Sequence, residues 1–240
     1  MSVLLVREDR EYLVEPGEEL QTDLGVLTVP DEPEPGTTLE THLGKPFRVR
    51  RLRGPDLFHH LERTGAPMLP RDIGIVIGET GVAASDRVLD AGTGTGVLAA
   101  YLGRLDGDVV TYERDPEFAE TARANMRLAG VNDRVDVRTG DLTDSLDTVD
   151  TFDVLTLDTE DAPAVVEQTP DLLVEGGALA VYVPFIETTR EVVEAARTAG
   201  LENVRAEETI QRELDVDERG TRPSTKGVGH TGYLVFARNP

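Results

Sequence analysis

The sequence predicts an α/β fold, with a doubly wound, mostly parallel seven-stranded sheet and a small N-terminal β module. Three observations predict it. The run V-L-D-A-G-T-G-T-G, from Val88 to Gly96, is an apolar strand that ends in an acid and passes into a glycine-rich turn. Such a turn lets the backbone approach a ligand, and the free N–H groups of a following helix point at that ligand. From Arg87 onward, apolar strand-like runs alternate with amphipathic ones, as parallel strands covered by helices on both faces do. Before that, short strand-like runs are separated by P-G, D-L-G and P-E-P-G turns. The organisation read from this is a β module over residues 1–54 and a second domain over residues 55–240.

In chain order, Val3–Val6, Glu11–Val14, Gly25–Val29 and Phe47–Leu52 are the strands of the module. Asp56 to Arg63 reads as a short helix. Asp72 can cap the next one, which carries Ile73, Val76 and Ile77 on one side and stops at Gly81. Arg87–Ala91 is the first strand of the sheet, and its helix places Val97, Leu98, Tyr101, Leu102 and Leu105 at helical spacing. Asp108–Glu113 is the second strand, followed by a helix from Pro116 to Ala129 with proline in the first turn. Arg134–Thr139 and Phe152–Leu157 are the third and fourth. A helix from Pro163 to Leu173 leads to the fifth, Ala178–Val183. Glu187 to Ala199 is the next helix, Val204–Thr209 the sixth strand, and Thr231–Ala237 closes the sheet.

The 240 residues suit one large domain, or one with a small appendage. There are 46 acids against 24 bases, for a net charge of −22, and tryptophan and cysteine are absent. The acids are dispersed, and lysine occurs only at Lys45 and Lys226. This pattern resembles the proteins of a halophilic archaeon. In molar salt the Debye length falls to about 3 Å, so the global charge loses its reach and does not exclude RNA. Without cysteine there is no disulfide, thiolate chemistry or cysteine metal site. His42, His59, His60 and His230 are not at a metal-ligand spacing, so no metal is expected. The N-terminus has no basic start and too short an apolar run for a signal peptide or membrane span. The expectation is a cytoplasmic protein.

The glycine turn narrows the ligand. A dinucleotide fingerprint started at Gly92 ends on Val97 and fails; started at Gly94 it ends on Ala99, a tolerated variant. D-x-G-x-G-x-G, with Asp90, Gly92, Gly94 and Gly96, fits better. It resembles the first motif of class I S-adenosylmethionine-dependent methyltransferases. A carboxylate in the turn repels a pyrophosphate, whereas the methionine end of the methyl donor carries an ammonium and a sulfonium. In a doubly wound sheet, ligands sit at the carboxyl ends of strands. Asp90, Glu113, Asp141 and Asp158 all stand there. Glu113 lies about twenty residues past the turn, where an acid can accept ribose hydroxyls. Asp141 can accept from an adenine amino group, which a dinucleotide enzyme does not require. Asp158 can orient an amine or take a proton. Each also has a plain reading as a turn or helix cap.

One basic island interrupts the acidity: Lys45, Arg48, Arg50, Arg51 and Arg53. Alternation puts Arg48 and Arg50 on one strand face and Val49 on the other. The island is either a set of ion pairs with neighbouring acids or a phosphate-contacting edge.

Taken together, these residues resemble the tRNA (adenine-N1)-methyltransferase family that modifies position 58 of the T-loop, in its archaeal form. The resemblance covers nearly the whole chain. It includes the β module, P-R-D at Pro70–Asp72, the glycine motif, Y-E at Tyr112–Glu113, L-D at Leu157–Asp158, R-P at Arg222–Pro223 and H-T-G-Y at His230–Tyr233. It implies the class I, Rossmann-like methyltransferase fold and S-adenosylmethionine as cofactor. Thr95, Gly96, Val97 and Leu98 would hold the methionine portion, Glu113 the ribose and Asp141 the adenine, with Phe118 at a further donor position. Asp158 would be the catalytic carboxylate. Arg222, His230 and Thr231 would line the acceptor side, and His230 reads equally as a structural hydrogen-bonder. Arg50 and Arg51 would grip tRNA. The family commonly forms homotetramers, which implies one here. One departure stands out: where the family follows the catalytic Asp with L-P, this chain has Thr159 and Glu160. A methyltransferase for a small molecule or protein shares the core without the β module and tail. A nicotinamide oxidoreductase is disfavoured by Asp90 and Asp141. A non-catalytic RNA-binding subunit is disfavoured by the intact donor motif.

Overall fold

The computed structural model describes residues 2–226 and 229–240. Its first part is all strand: β1 (Val3–Arg7), β2 (Arg10–Val14), β3 (Glu19–Thr22), β4 (Gly25–Thr28), β5 (Thr38–Glu40) and β6 (Pro46–Arg51). Strands β2, β1, β6 and β5 form one antiparallel sheet in that order, and β3 pairs with β4 in a separate hairpin. Along β6 Phe47 and Val49 are buried while Arg48 is exposed and Arg50 half-buried, as the alternation predicts; Arg51, at the strand end, is exposed although it shares the parity of Val49. Phe47 and Val49 join Val3, Leu5, Val14, Leu27 and Val29 in a core, with Tyr12 edge-on to Phe47 at 6.0 Å between ring centres. Burying each such side chain contributes about 1.5–3 kcal/mol. Strands β3 and β5 are absent from the sequence reading because E-L-Q-T and T-L-E carry no apolar alternation and lie exposed or half-buried.

The remaining elements are α1 (Gly54–His60), α2 (Pro70–Thr80), β7 (Arg87–Ala91), α3 (Val97–Arg104), β8 (Asp108–Glu113), α4 (Pro116–Ala129), β9 (Val135–Thr139) and β10 (Phe152–Leu157). They continue with α5 (Ala162–Glu167), α6 (Thr169–Leu172), β11 (Leu173–Val183), α7 (Ile186–Thr198), β12 (Glu202–Glu208), β13 (Leu214–Asp217), β14 (Gly220–Pro223) and β15 (Tyr233–Arg238). Seven strands form one sheet in the order β12-β15-β11-β10-β7-β8-β9. Strand β10 is parallel to β7 and β11, β8 is parallel to β9, and β15 runs antiparallel to β11 and β12. The doubly wound, mostly parallel seven-stranded sheet is therefore present, beside the small antiparallel N-terminal strands. Strands β7 and β10 are buried almost throughout, as strands covered on both faces are. The strand order changes direction at β7, whose carboxyl end feeds the glycine turn.

The chain divides into two compact units. One comprises Met1–Gly74, Ala83–Ser85 and Thr93–Gly140; the other comprises Ile75–Val82, Asp86–Gly92 and Asp141–Pro240. The first holds the β module, the glycine turn from Thr93 and the α3–β9 segment. The second holds β7, β10, β11, β12 and β15.

Several elements differ from the sequence reading. Helix α2 starts at Pro70, so Asp72 lies inside its first turn; Asp72 and Ile73 both donate their N–H to the Leu69 carbonyl. Proline serves at this position because its missing N–H would have had no helical partner. The helix expected from Pro163 to Leu173 is two helices, broken at Gln168, because Pro170 opens α6. Strand β11 then begins at Leu173, five residues before the expected start at Ala178. Its early part is held from outside: the Asn239 side-chain amide donates to Leu173 O (2.8 Å) and the Asn239 N–H to Gly177 O (2.9 Å). The β13–β14 hairpin is unforeseen because it buries no residue and so carries no core pattern.

Candidate active site

In the first unit, the glycine turn is fastened to β8. Thr93 N donates to Tyr112 O (3.3 Å), and the hydroxyls of Thr93 and Thr111 share a 2.5 Å hydrogen bond. Glu113, buried at the end of β8, accepts from Gly94 N at 2.9 Å through one oxygen and from Asp115 N at 3.0 Å through the other. Each of those oxygens keeps a further lone pair for a ligand hydroxyl. Gly96 caps α3 at φ +80°, a left-handed conformation that favours glycine, and a Cβ there would meet Met126 Cε at 2.5 Å. No side chain caps α3 and no acid lies in its first turn, where Val97 and Leu98 stand. Phe118 is 38% exposed in the first turn of α4, a turn capped by Asp115, which accepts from Glu117 N (2.8 Å) and Phe118 N (3.2 Å).

A residue that the sequence reading misses organises this unit. Asn125, fully buried on α4, donates through Nδ2 to Thr95 O (2.8 Å) and Glu62 O (2.8 Å) and accepts from Glu62 N (3.1 Å) through Oδ1. Thr64 N adds a bond to Thr95 Oγ1 at 3.2 Å. The glycine turn, α4 and the α1–α2 connection are thereby joined at one amide. The available signal was its position: Asn125 falls three residues after Ala122 and beside Met126 on the apolar face of α4, where a polar side chain must find partners.

In the second unit, Asp90 and Asp158 stand at the carboxyl ends of the paired strands β7 and β10. Asp90 is buried and accepts from Thr156 Oγ1 at 2.5 Å. Asp158 N donates to Ala91 O at 2.8 Å. Burial, and secondarily the charge of Asp90, push the Asp158 carboxyl up to about 7. Gly92 has a structural reason to be glycine: a Cβ would stand 2.0 Å from the Asp158 carbonyl oxygen. The close approach at this position is thus made by β10. Asp141 turns the chain after β9, with one carboxylate oxygen accepting from Thr143 N (2.9 Å) and Thr143 Oγ1 (2.8 Å). That is the turn-cap reading, and it leaves the second oxygen for another donor.

The tail residues are placed individually. His230 uses both ring nitrogens, one with Glu208 Oε1 (3.1 Å) and one with Pro184 O (3.0 Å), and its ring packs on Tyr233 at 4.8 Å. The Pro184 carbonyl and then Glu208 raise its pKa. Both ring nitrogens of His230 are thereby engaged within the chain. Thr231 is half-buried beside it in sequence. Arg222 lies exposed on β14, with Asp215 at 3.8 Å.

The basic island also divides. Arg50 is committed to acids: Nη1 to Glu11 (2.8 Å) and Nη2 to Asp56 (3.1 Å). Arg51 is exposed. Among the described residues, no group of three or more His, Asp or Glu is placed to hold a metal ion, and no helix is long and apolar enough to cross a membrane.

Comparison with known proteins places this geometry in context. A family model described as "tRNA methyltransferase complex GCD14 subunit" matches residues 57–222. The chain is 33% identical to a Methanocaldococcus jannaschii protein named tRNA (adenine(57)-N(1)/adenine(58)-N(1))-methyltransferase TrmI, over 99% of this chain and 94% of that one. It is 30% identical to the Thermus thermophilus tRNA (adenine(58)-N(1))-methyltransferase TrmI, over 97% of this chain and 94% of that one. Among solved structures, a Thermotoga maritima SAM-dependent O-methyltransferase superposes with a TM-score of 0.80 at 28% identity, covering 99% of this chain and 92% of that one.

Proposed function

The chain belongs to the tRNA methyltransferase complex GCD14 subunit family, and from that premise we propose that it transfers a methyl group from S-adenosylmethionine to N1 of an adenine in the tRNA T-loop, at position 58, or at 57 and 58. The observation that carries the reading is the carboxylate pair Asp90 and Asp158 at the ends of β7 and β10, with Asp158 poised to ionise near neutral pH. Donor and acceptor chemistry both call for such a group.

The residues present fit the donor. Glu113 and Asp141 offer free carboxylate lone pairs to hydroxyl and amino donors, and the acid pair suits a positive centre. Gly94, Thr95, Gly96, Val97 and Leu98 supply backbone polar groups for the methionine end, with Gly92 shaping the turn. Phe118 gives an exposed aromatic face for adenine. The donor supplies a methyl group already activated on sulfur. What remains for the protein is alignment and charge. Adenine N1 lies on the Watson–Crick edge, so the base must leave its stack at a cost of about a few kcal/mol. As N1 takes up the methyl, positive charge spreads to the exocyclic amine. An ionised Asp158 accepts a hydrogen bond from that amine and stabilises the charge.

Residues 1–54 serve as an RNA-gripping module, with Arg50 holding its shape and Arg51 facing the RNA; residues 55–240 carry the transfer. Arg222 and Thr231 face the acceptor. A homotetramer suits Ile210, Leu214 and Val216, apolar side chains that are 65%, 60% and 75% exposed near and on the β13–β14 hairpin. The acidic surface fits a cytoplasm at molar salt. The test is incubation with labelled donor and unmodified tRNA transcript in molar potassium chloride, followed by digestion. N1-methyladenosine in the T-loop supports the reading. Donor binding without methylated tRNA would direct the search to other acceptors.

A further inference from the structure

The chain has 46 acids and 24 bases, and many of its cations sit in ion pairs. Arg87 is matched with Asp150, Arg134 with Asp108 and Arg190 with Glu194. Arg51 and Arg53 are not: among the described residues neither has a carboxylate in ion-pair reach. Arg104, on α3, joins them. Its Nη2 donates to Leu52 O at 2.8 Å, so its guanidinium is fixed at the peptide between those two arginines. Tyr101, one turn earlier, lies against Gly54, where a Cβ would come 2.8 Å from the ring. Helix α3 is thereby seated on the β6–α1 connection.

The arrangement is electrostatically costly. Burial first, then the charges of Arg51 and Arg53, hold the pKa of Arg104 below its ordinary value. The acid that faces the cluster is Asp56, and both its oxygens are engaged, one by Arg50 Nη2 (3.1 Å) and the other by Arg53 N (2.7 Å). Arg104 is thus held at Leu52, within reach of the charges of Arg51 and Arg53, in a molecule with acids to spare. A ligand that brings negative charge removes their repulsion.

We propose that Arg51, Arg53 and Arg104 form a phosphate site for the RNA backbone at the β6–α1 connection. The proposal rests on the tRNA reading and deepens it: Arg50 is held by Glu11 and Asp56, and the phosphate falls to its neighbours. Guanidinium forks match phosphate oxygens in bidentate pairs. Where the Debye length is about 3 Å, long-range attraction is lost and direct charge-assisted hydrogen bonds must hold the RNA. Neighbouring guanidinium forks suit that condition better than a diffuse basic surface.

The test measures binding of unmodified tRNA transcript to the full chain with its donor across a potassium chloride series. It compares wild type with Arg51→Gln/Arg53→Gln and with Arg104→Lys, which keeps the charge but loses the fork. The double variant should bind tRNA at least about tenfold more weakly and lower the salt slope by about 2. Donor affinity should hold and Tm should stay level or rise, because repulsion on Arg104 is relieved. Arg104→Lys should give a smaller loss of tRNA affinity. Unchanged affinity and slope in the double variant would overturn the phosphate site and leave the tRNA reading standing. A lower Tm with lost donor binding would assign these arginines a structural role and overturn it too. A wild type that binds no tRNA at any salt would overturn the reading beneath it.

Discussion

At the carboxyl ends of β7 and β10 the molecule brings together two carboxylates, Asp90 and Asp158; at the β6–α1 connection it holds Arg104 at Leu52, between Arg51 and Arg53 in the chain. Both gatherings work against folding, since like charges repel and burial penalises charge. They differ in how the cost is met. The acids can relieve it by holding a proton, and Asp158 does so up to about pH 7. The arginines have no such release, and an incoming anion relieves their repulsion. Under the proposed function the first site answers to pH and a cationic ligand, and under the proposed phosphate site the second answers to salt and an anionic one.

Asp158→Asn should produce the largest effect. Removing the carboxylate while keeping its size should lower kcat by about 10²–10⁴-fold, a larger loss than in donor affinity. A turnover near wild type would mean that Asp158 does not meet the acceptor. Asn125→Ala comes next. It leaves the Thr95 carbonyl and the Glu62 backbone groups without their partner, at about 1–3 kcal/mol for each buried orphan. The chemical denaturation midpoint should fall and donor affinity with it, because the glycine turn loses its anchor. If only the midpoint fell, Asn125 would be a core residue without a part in positioning the turn.

The acid pair also sets a pH dependence of stability. In the folded chain Asp158 keeps its proton to about pH 7, against 3.8 for an unperturbed carboxyl. Between those values the unfolded chain binds fewer protons, so this group makes stability fall as pH rises from about 4 to 7. In the absence of donor, Asp158→Asn should be more stable than wild type by about 1–3 kcal/mol above pH 7. That gap should close toward pH 4. A constant gap across the range would assign the difference to packing. The smallest effect should come from Arg50→Gln. Its half-exposed pairs with Glu11 and Asp56 contribute about 0.5–1 kcal/mol, and tRNA affinity should change less than in Arg51→Gln/Arg53→Gln. The reverse order would return Arg50 to the RNA-contacting set.

The sheet and its order of helices were legible because β7 and β10 bury nearly every residue and β8 carries Val109, Val110 and Tyr112 between its polar ends. The glycine turn was legible as a motif, but its physics was not. Gly92 makes room for the Asp158 carbonyl and Gly96 for Met126, and neither neighbour is near in sequence. Asn125 was hidden for the same reason: its partners Glu62 and Thr95 lie 63 and 30 positions away. The exposed hairpins β3–β4 and β13–β14 carry little or no core alternation to read. Of the basic island, the sequence shows the charges but not their partners. Only the fold separates Arg50, held by Glu11, from Arg51 and Arg53, and adds Arg104 from a distant helix.

The proposed function requires the Asp90–Asp158 pair to receive a positive centre. The measurement that decides this is donor binding at pH 7 by titration calorimetry in two buffers of different ionisation enthalpy. A cationic ligand beside Asp158 lowers its pKa from about 7, so wild type should release roughly half a proton on binding. Asp158→Asn should release none. Equal proton release by wild type and variant, or none by either, would contradict the claim.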